Sequence, residues 1–211
     1  MIARLIVISG PSGAGKGTLI AKVVPRFSDM VTSISATTRA PRVKKWYRRL
    51  WPWTAGAERE GREYFFISRE EFERRAAAGE FLEWAEYSGN LYGTPAAAVR
   101  AHLDAGRDVI LEIELQGARQ VLARDPDAVI VFIAPPGPEE LEERLRRRGT
   151  ESEETLRRRL EHARIELEAL ARDSAAEGRE FDYVIVNDDV EIAADQLQAA
   201  LDDIRAHDPS R

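Results

Sequence analysis

Close to its amino terminus the chain reads Ile6-Val7-Ile8-Ser9-Gly10-Pro11-Ser12-Gly13-Ala14-Gly15-Lys16-Gly17-Thr18, an apolar run that breaks into glycines and then a lysine. The apolar, largely β-branched run from Leu5 to Ile8 predicts a strand buried on both faces of a parallel sheet. Apolar residues recur at helical spacing over residues 18–24, which predicts a helix after the glycines. Backbone N–H groups and the positive end of the helix dipole would converge between these elements, so the turn is suited to binding a phosphate group.

The glycine spacing is that of a P-loop except at its last position, where the pattern has Ser or Thr and this chain has Gly17 followed by Thr18. In a P-loop, Lys16 would reach the β and γ phosphates of a nucleoside triphosphate. The ATP-binding residues predicted here are Gly10, Pro11, Ser12, Gly13, Ala14, Gly15, Lys16, Gly17 and Thr18. A glycine-rich turn without a ligand is the alternative interpretation. The Gly17 departure leaves open which group takes the place of the usual hydroxyl on magnesium.

The composition is typical of a globular protein, with 44% hydrophobic and 32% charged residues among 211. No apolar run is long enough to cross a bilayer, no secretory leader is recognised, and there is no cysteine, so we expect a cytoplasmic protein without disulfides. The net charge of −6 argues against a nucleic-acid partner. Basic residues nevertheless cluster at 44–49, 144–148 and 157–159, which favours a small polyanionic ligand.

A second candidate anion site follows the strand predicted at residues 31–35. Arg39 and Arg42 lie three residues apart in a loop, with the hydroxyls of Ser35 and Thr37 nearby in sequence. Two guanidinium groups can each hold a phosphate through paired hydrogen bonds, and hydroxyls can complete the set of donors. A solvated polar loop is the alternative for any one of these residues.

Five segments resemble guanylate kinases, in that family's order: Ser33–Arg42, Gly61–Phe66, Phe81–Thr94, Leu111–Ala118 and Val186–Asp189. The resemblance covers nearly the whole chain apart from residues 43 to about 60, and five ordered segments are far more specific than a P-loop alone. It implies Mg²⁺-assisted phosphoryl transfer from ATP to GMP, with dGMP as a second acceptor, and small nucleotides as the partners.

The resemblance also implies which residues hold the acceptor. The GMP-binding residues it indicates are Ser35, Arg39, Arg42, Tyr64, Glu83, Tyr92, Thr94, Glu112 and Glu114. Two arginines and two tyrosines would hold the acceptor phosphate, while Glu83 would accept from guanine N1–H and the 2-amino group. Adenine would leave Glu83 facing a lone pair. Thr94 is also expected to be the N-cap of a helix that begins with Pro95 at its first position and continues to Ala105.

Glu112 and Glu114 end the strand predicted at residues 108–114. Ligands of open α/β sheets bind beyond the carboxyl ends of strands, so both acids are directed at the site. We therefore expect Glu112, together with Thr18, to address the magnesium shell through water and Glu114 to address the acceptor nucleoside. Solvated acids at a strand end are the alternative.

Two arginine-rich helical stretches after residue 137 resemble the lid of guanylate kinases. The catalytic residues implied are Lys16, Arg39, Arg144, Arg148 and Arg159. Other lid arginines are expected on a solvated face, pairing with Glu142, Glu143 and Glu161; they are Arg146, Arg147, Arg157 and Arg158. Asn187, at the end of the last strand, is expected to contact adenine.

The expected fold is an α/β P-loop NTPase with a five-stranded parallel sheet core, a small α+β acceptor-binding subdomain and a helical lid. The core would comprise residues 1–34, 95–136 and 171–211, the subdomain 35–94, and the lid 137–170. A long insertion at 43–60 holds three of the four tryptophans beside basic residues. It is either an extra hairpin on the subdomain or a protein interface that makes a homo-oligomer.

Two other functions would keep parts of this pattern. A related kinase for a phosphorylated sugar would not need Glu83 together with Thr94, and both are present. A non-catalytic guanylate-kinase-like module that binds phosphopeptides would have no use for Lys16 and the lid arginines. The residues therefore favour the reaction ATP + GMP ⇌ ADP + GDP.

Overall fold

The computed structural model describes residues 3–42, 58–87, 89–147, 153–173 and 180–207. Most of the insertion, residues 43–57, and the predicted lid residue Arg148 lie outside this part of the chain, so both interpretations of the insertion stay predictions. The chain forms two units, Met1–Thr32 with His102–Arg211, and Ser33–Ala101. Within the described ranges, no helix has both the length and the apolar character that a membrane crossing requires.

In chain order the strands are β1 (Leu5–Ser9), β2 (Met30–Thr32), β3 (Ala36–Thr37), β4 (Phe65–Phe66), β5 (Phe81–Tyr87), β6 (Asn90–Pro95), β7 (Asp108–Glu112), β8 (Val129–Ala134) and β9 (Tyr183–Val186). The helices are α1 (Lys16–Val23), α2 (Arg69–Ala77), α3 (Ala96–Asp104), α4 (Leu115–Arg124), α5 (Pro138–Arg147), α6 (Glu153–Asp173) and α7 (Val190–Ala206).

The first unit is built on a parallel sheet of five strands in the order β2-β7-β1-β8-β9, which confirms the predicted five-stranded parallel sheet. Every residue of the central strand β1 is buried. Ile6, Ile8, Val131 and Ile133 form a core with apolar residues of α1 and α7. An unbroken apolar strand is stable here because helices cover both faces of a parallel sheet.

The second unit is a four-stranded mixed sheet in the order β4-β3-β6-β5 with α2 packed against it. The β3–β4 pair is parallel, while β6 is antiparallel to both β3 and β5. Phe72 of α2 stacks on Phe81 of β5, with ring centroids 4.5 Å apart. The α2 helix begins after Ser68, whose hydroxyl accepts a capping hydrogen bond from Glu71 N at 3.1 Å.

The expectation that Thr94 caps a helix is wrong. Pro95 continues β6 by pairing with Phe81, and α3 begins only at Ala96. The Thr94 hydroxyl instead donates to Oε1 of Glu83 at 2.6 Å. A threonine before a proline is a sequence signature of a helix start, but here both residues belong to strand β6.

Two strand boundaries also differ from the prediction. The strand expected at residues 31–35 ends at Thr32, and pairing resumes in the other unit at Ala36. The strand expected at 108–114 ends at Glu112 because Glu114, at φ −86° and ψ 166°, is already the N-cap of α4.

Candidate active site

The phosphate-loop candidate joins β1 to α1 in the first unit, and its backbone requires glycine. Gly10 and Gly15 have φ of 131° and 95°, a region that other residues rarely adopt. A Cβ at Gly10 would overlap the carbonyl oxygen of Ile133, and one at Gly15 would overlap Nδ2 of Asn187. The loop is therefore fixed both by its own dihedral angles and by the neighbours that press on it.

Lys16 is the first residue of α1 and only 9% exposed. Its ammonium group donates to the carbonyl oxygens of Gly10 and, at 3.3 Å, Pro11. The first turn of α1 contains no acidic residue, and the N-cap Gly15 has no side chain with which to cap it. Positive charge and free amide donors thus gather at one helix end, which is the arrangement that binds anions.

Asn187 supports this loop from the end of β9. Its side-chain Nδ2 donates to the carbonyl oxygen of Ala14 at 2.7 Å, and the residue is 5% exposed. Arg144 of α5 donates from Nη1 to the carbonyl oxygen of Asn187 at 3.0 Å and from Nε to Glu140 at 2.7 Å. The amide expected at adenine is therefore engaged with the loop backbone, and Arg144 is held near the same loop.

The α5 helix packs directly on the loop. A Cβ at Gly13 would lie 2.8 Å from Cδ1 of Leu141 and 3.1 Å from Cδ2 of Leu145. The same leucines form a cluster with Leu156 and Ala163 of α6. The two helices of the expected lid thus share a small core that continues onto the candidate phosphate site.

The lid arginines differ in their surroundings. Arg159 is half-buried on α6. Arg146 and Arg147 pair with Glu142 and Glu143 at 2.8 and 2.6 Å, as predicted. The pairing predicted for Glu161 is wrong, because Glu161 contacts Arg164 at 2.8 Å, one turn along the same helix.

Glu112 lies beside the start of α1. A Cβ at Gly17 would be 3.2 Å from its Oε1 and 3.3 Å from its Oε2. Both Glu112 and Thr18 are exposed. A carboxylate therefore stands next to the position where the P-loop pattern has a hydroxyl, and the absence of a side chain at residue 17 leaves it room.

Glu114 and Glu166 meet at the start of α4. Glu114 is the N-cap, but its side chain makes no capping bond, and the backbone N–H of Leu115 donates to Oε1 of Glu166 at 2.9 Å. Burial raises the pKa of Glu166, and the Leu115 N–H and the Lys16 charge only partly oppose this effect. Sequence reasoning missed Glu166, although it lies in register with Ala163 and Ala169 on the buried stripe of α6.

The second unit holds a cluster around Arg39. Its guanidinium contacts both carboxylate oxygens of Glu58, at 2.9 Å from Nη2 to Oε1 and 2.8 Å from Nη1 to Oε2. It lies over the Tyr64 ring, 5.3 Å from the centroid, and the Tyr64 and Tyr92 rings are 6.1 Å apart. The backbone N–H of Arg42 also donates to Glu58, at 2.7 Å. Four predicted acceptor residues are thus brought together in one place.

Charge pairing dominates this cluster. Burial opposes ionisation of Glu58, but hydrogen bonds from Arg39 and Arg42 together with their charges outweigh it, so the pKa of Glu58 lies below its ordinary value. Burial likewise opposes the charge on Arg39, yet Glu58 and Tyr92 raise the pKa of this arginine. Sequence reasoning missed Glu58 because it lies near the end of the long insertion, 19 residues along the chain from Arg39, where no local pattern indicates the pairing.

A buried carboxylate forms the other feature of this unit. Glu83 is 5% exposed, and Thr94, which is fully buried, donates to it. A register shift in β5 between Phe81 and Trp84 falls at Glu83. Ser35 is half-buried before β3, and its carbonyl oxygen accepts from Phe65 N at 2.9 Å.

The whole chain is similar to known proteins. Residues 2–204 match the family model described as guanylate kinase. The chain is 52% identical over 194 residues to the guanylate kinase of Rubrobacter xylanophilus, with 92% of this chain and 91% of that protein covered. It is 48% identical over 198 residues to the guanylate kinase of Synechococcus sp. (strain JA-3-3Ab), covering 94% of this chain and 82% of that protein. The crystal structure of guanylate kinase from Anaplasma phagocytophilum aligns with a TM-score of 0.68 at 32% identity, covering 97% and 86% of the two chains.

Replacing Glu58 by glutamine should change how stability depends on pH. The lowered pKa means that the folded state binds fewer protons than the unfolded state, so the contribution of the Arg39 pair is complete above the ordinary glutamate pKa and is lost as the pH falls through the folded value. Urea unfolding of both proteins should therefore show a gap of about 1–2 kcal/mol at pH 7 that shrinks below about pH 4.

The control is Glu73→Gln, which alters an exposed pair with Arg69 on α2. This variant should track the parent protein across the pH range. A Glu58→Gln gap that stays the same from neutral to acid pH would contradict the assigned pairing.

Proposed function

Because this chain belongs to the guanylate kinase family and is an enzyme that transfers a phosphoryl group from ATP to GMP, we propose that its two units supply the groups for the two nucleotides. Residues 10–18 of the first unit would hold the triphosphate of ATP. The converging amides and the buried ammonium of Lys16 support this role. The residues offer no support for the phosphopeptide-binding or sugar-kinase alternatives.

The Arg39 cluster would hold the phosphate of GMP. Arg39, Arg42, Tyr64 and Tyr92 offer guanidinium and phenol donors suited to a dianion. Glu58 is an acid and cannot attract phosphate, so its role would be to orient the Arg39 guanidinium. A preoriented arginine loses less rotamer freedom when it binds, which favours affinity for the acceptor.

The buried pair of Glu83 and Thr94 is the observation that carries recognition of guanine. The Thr94 hydroxyl fixes the orientation of the carboxylate, and burial keeps water from competing for it. Such a carboxylate accepts well from the N1–H and 2-amino donors of guanine and would face a lone pair in adenine. Ser35 and Glu114 are proposed to contribute further polar contacts to the base.

The magnesium ion that accompanies ATP fits the oxygen donors at the start of α1. Mg²⁺ binds through one or two carboxylates plus phosphate oxygens and keeps several waters. Glu112 lies next to Gly17, and the Thr18 hydroxyl is exposed nearby in sequence. When bound, the ion neutralises charge on the phosphates. Glu112 would orient its water shell, while Thr18 would supply a hydroxyl in place of the one missing at position 17.

The proposed mechanism is direct in-line transfer, with no covalent intermediate. Lys16 and Arg39 would position the donor and acceptor phosphates, and Arg144, Arg148 and Arg159 would stabilise charge on the group in transit. Residues 137–170 would act as a lid that excludes water, and residues 35–94 as the acceptor subdomain. The contact of α5 with the phosphate loop supports the assignment of the lid.

The cytoplasmic location and an oligomer formed through residues 43–60 stay predictions. Acceptor use by dGMP is also a proposal, since every contact proposed for the base and phosphate is independent of the ribose 2′-hydroxyl.

Glu83→Gln should weaken the use of GMP selectively. An amide presents one acceptor where the carboxylate presents two, so kcat/KM for GMP should fall by about tenfold to a hundredfold while KM for ATP stays close to its original value. A coupled assay of ADP release with GMP, dGMP, AMP, CMP and UMP measures this. Lys16→Ala, by contrast, should lower turnover by orders of magnitude with every acceptor.

Glu86→Gln is the matched control, since Glu86 lies on the same strand with an exposed side chain. It should leave the kinetics unchanged. If Glu83→Gln kept full efficiency with GMP, the assignment of this carboxylate to guanine would be rejected.

Glu112→Gln should shift the magnesium dependence of the reaction. Loss of the carboxylate charge beside Gly17 should raise the Mg²⁺ concentration needed for half-maximal rate by about threefold to tenfold. Titration of the rate with MgCl₂ at saturating ATP and GMP measures the shift. Glu191→Gln, which changes an exposed residue of the same unit, is the control and should leave the magnesium titration unchanged. Coincident titration curves for the parent protein and Glu112→Gln would exclude the proposed role of Glu112.

A further inference from the structure

Glu166 is a buried carboxylate that the functions above do not use. It lies in the middle of α6, is 7% exposed, and accepts the backbone N–H of Leu115 at 2.9 Å. Leu115 is the first residue of α4, and it follows directly on Glu114. A carboxylate of α6 therefore accepts the first backbone N–H of α4, next to Glu114, a predicted acceptor-binding residue.

This contact supplies a partner for an amide that a helix leaves unpaired. The amides at a helix start are commonly capped by the side chain of the N-cap residue, and glutamate is not among the favoured caps. Glu114 occupies the N-cap position, yet its side chain makes no capping bond. An N-cap side chain accepts from the second or third amide of a helix, whereas Glu166 accepts from the first, so the two acids do not compete for one donor. The Glu114 carboxylate makes no capping bond and is available for another partner.

The choice of a carboxylate is costly at this position. Burial disfavours the charged form of Glu166, and the nearby Glu114 charge adds to this effect, whereas Lys16 and His162 favour the charge. An apolar residue would fit the stripe formed by Ala163 and Ala169 without that cost. Glu166 is therefore a buried acid whose charged form is disfavoured, and it interacts with Glu114 and Lys16, two proposed site residues. This combination points to a role in the site.

The α6 helix is also connected, through α5, to the loop proposed to bind ATP. Leu156 and Ala163 pack with Leu141 and Leu145 of α5, and these leucines contact the phosphate loop at Gly13. The α6 helix thus contacts both α5, which packs on the proposed ATP loop, and the turn that contains Glu114.

We propose that Glu166 is a positioning residue that fixes the Glu114 turn and so links the lid helix α6 to the binding of GMP. The link rests on the proposed role of Glu114 in holding the acceptor nucleoside. Glu166 itself contacts neither substrate. It acts by holding the backbone N–H of Leu115, which fixes the backbone of the neighbouring residue Glu114.

The test compares steady-state kinetics of Glu166→Ala, Glu166→Gln and Glu114→Gln in the full-length enzyme, with KM and kcat measured separately for GMP and for ATP. Glu166→Ala removes the acceptor and should raise KM for GMP by about tenfold, with KM for ATP changing by less than about twofold. Glu166→Gln keeps an oxygen that can accept from Leu115 and should restore KM for GMP to within about threefold.

Glu168→Ala provides the matched control, because Glu168 is an exposed residue of the same helix that pairs with Arg164. It should leave all four constants unchanged. If Glu166→Ala does not fold, Glu166→Asp carries the test, since it retains the charge but shortens the reach to Leu115 and should raise KM for GMP in the same way.

The outcomes separate this inference from the proposed function. Equal rises of KM for GMP and ATP in Glu166→Ala, or no rise, would overturn the positioning role, as would a glutamine variant as impaired as the alanine variant. If Glu114→Gln leaves KM for GMP unchanged, the proposed role of Glu114 fails, and the inferred link through the Glu114 turn fails with it. A GMP-selective effect of Glu166→Ala would then act by another route.

Discussion

The candidate phosphate loop, residues 10–18, depends on a close approach of backbone to backbone at Gly10, where a single added carbon would overlap the carbonyl oxygen of Ile133 on the neighbouring strand. This contact fixes where the loop leaves β1. Asn187 from the end of β9 and Leu141 from α5 press on the same loop at Gly15 and Gly13. Three elements far apart in sequence therefore determine one turn, so the amides of that turn stay aligned before a ligand arrives, and little reorganisation is needed on binding.

Three of the polar contacts described above join a buried or half-buried charged group to a defined partner in the fold. Arg39 pairs with Glu58, Thr94 donates to Glu83, and Glu166 accepts from Leu115. Unpaired polar groups of this kind would cost far more than the pairs contribute. The arrangement allows charged side chains to sit in dry surroundings, where their interaction with a phosphate or a purine is strongest.

Residue patterns alone predicted the elements whose signal is local. The β-branched run before the glycines, the helix after them and the strand expected at residues 108–114 follow from continuous or periodic apolar residues, and β1, α1 and β7 lie there. Arg39 and Arg42 were suggested by their spacing beside hydroxyl residues. Other predicted site residues of the second unit, such as Tyr64 and Glu83, came from the resemblance to guanylate kinases, because a lone tyrosine or glutamate carries no pattern. Glu58 and Glu166 were missed since each gains its meaning from a partner 19 or 51 residues away. The start of α4 was missed because its cap comes from another helix and not from the residue before it.

The empty space at residue 17 has an evolutionary consequence. A side chain at this position and a glutamate at 112 compete for the same volume, since a Cβ at Gly17 would already lie 3.2 Å from Oε1 of Glu112. A shorter acid at 112 would relieve that crowding. The two positions are therefore expected to covary among related sequences, with a hydroxyl residue at 17 accompanied by aspartate at 112.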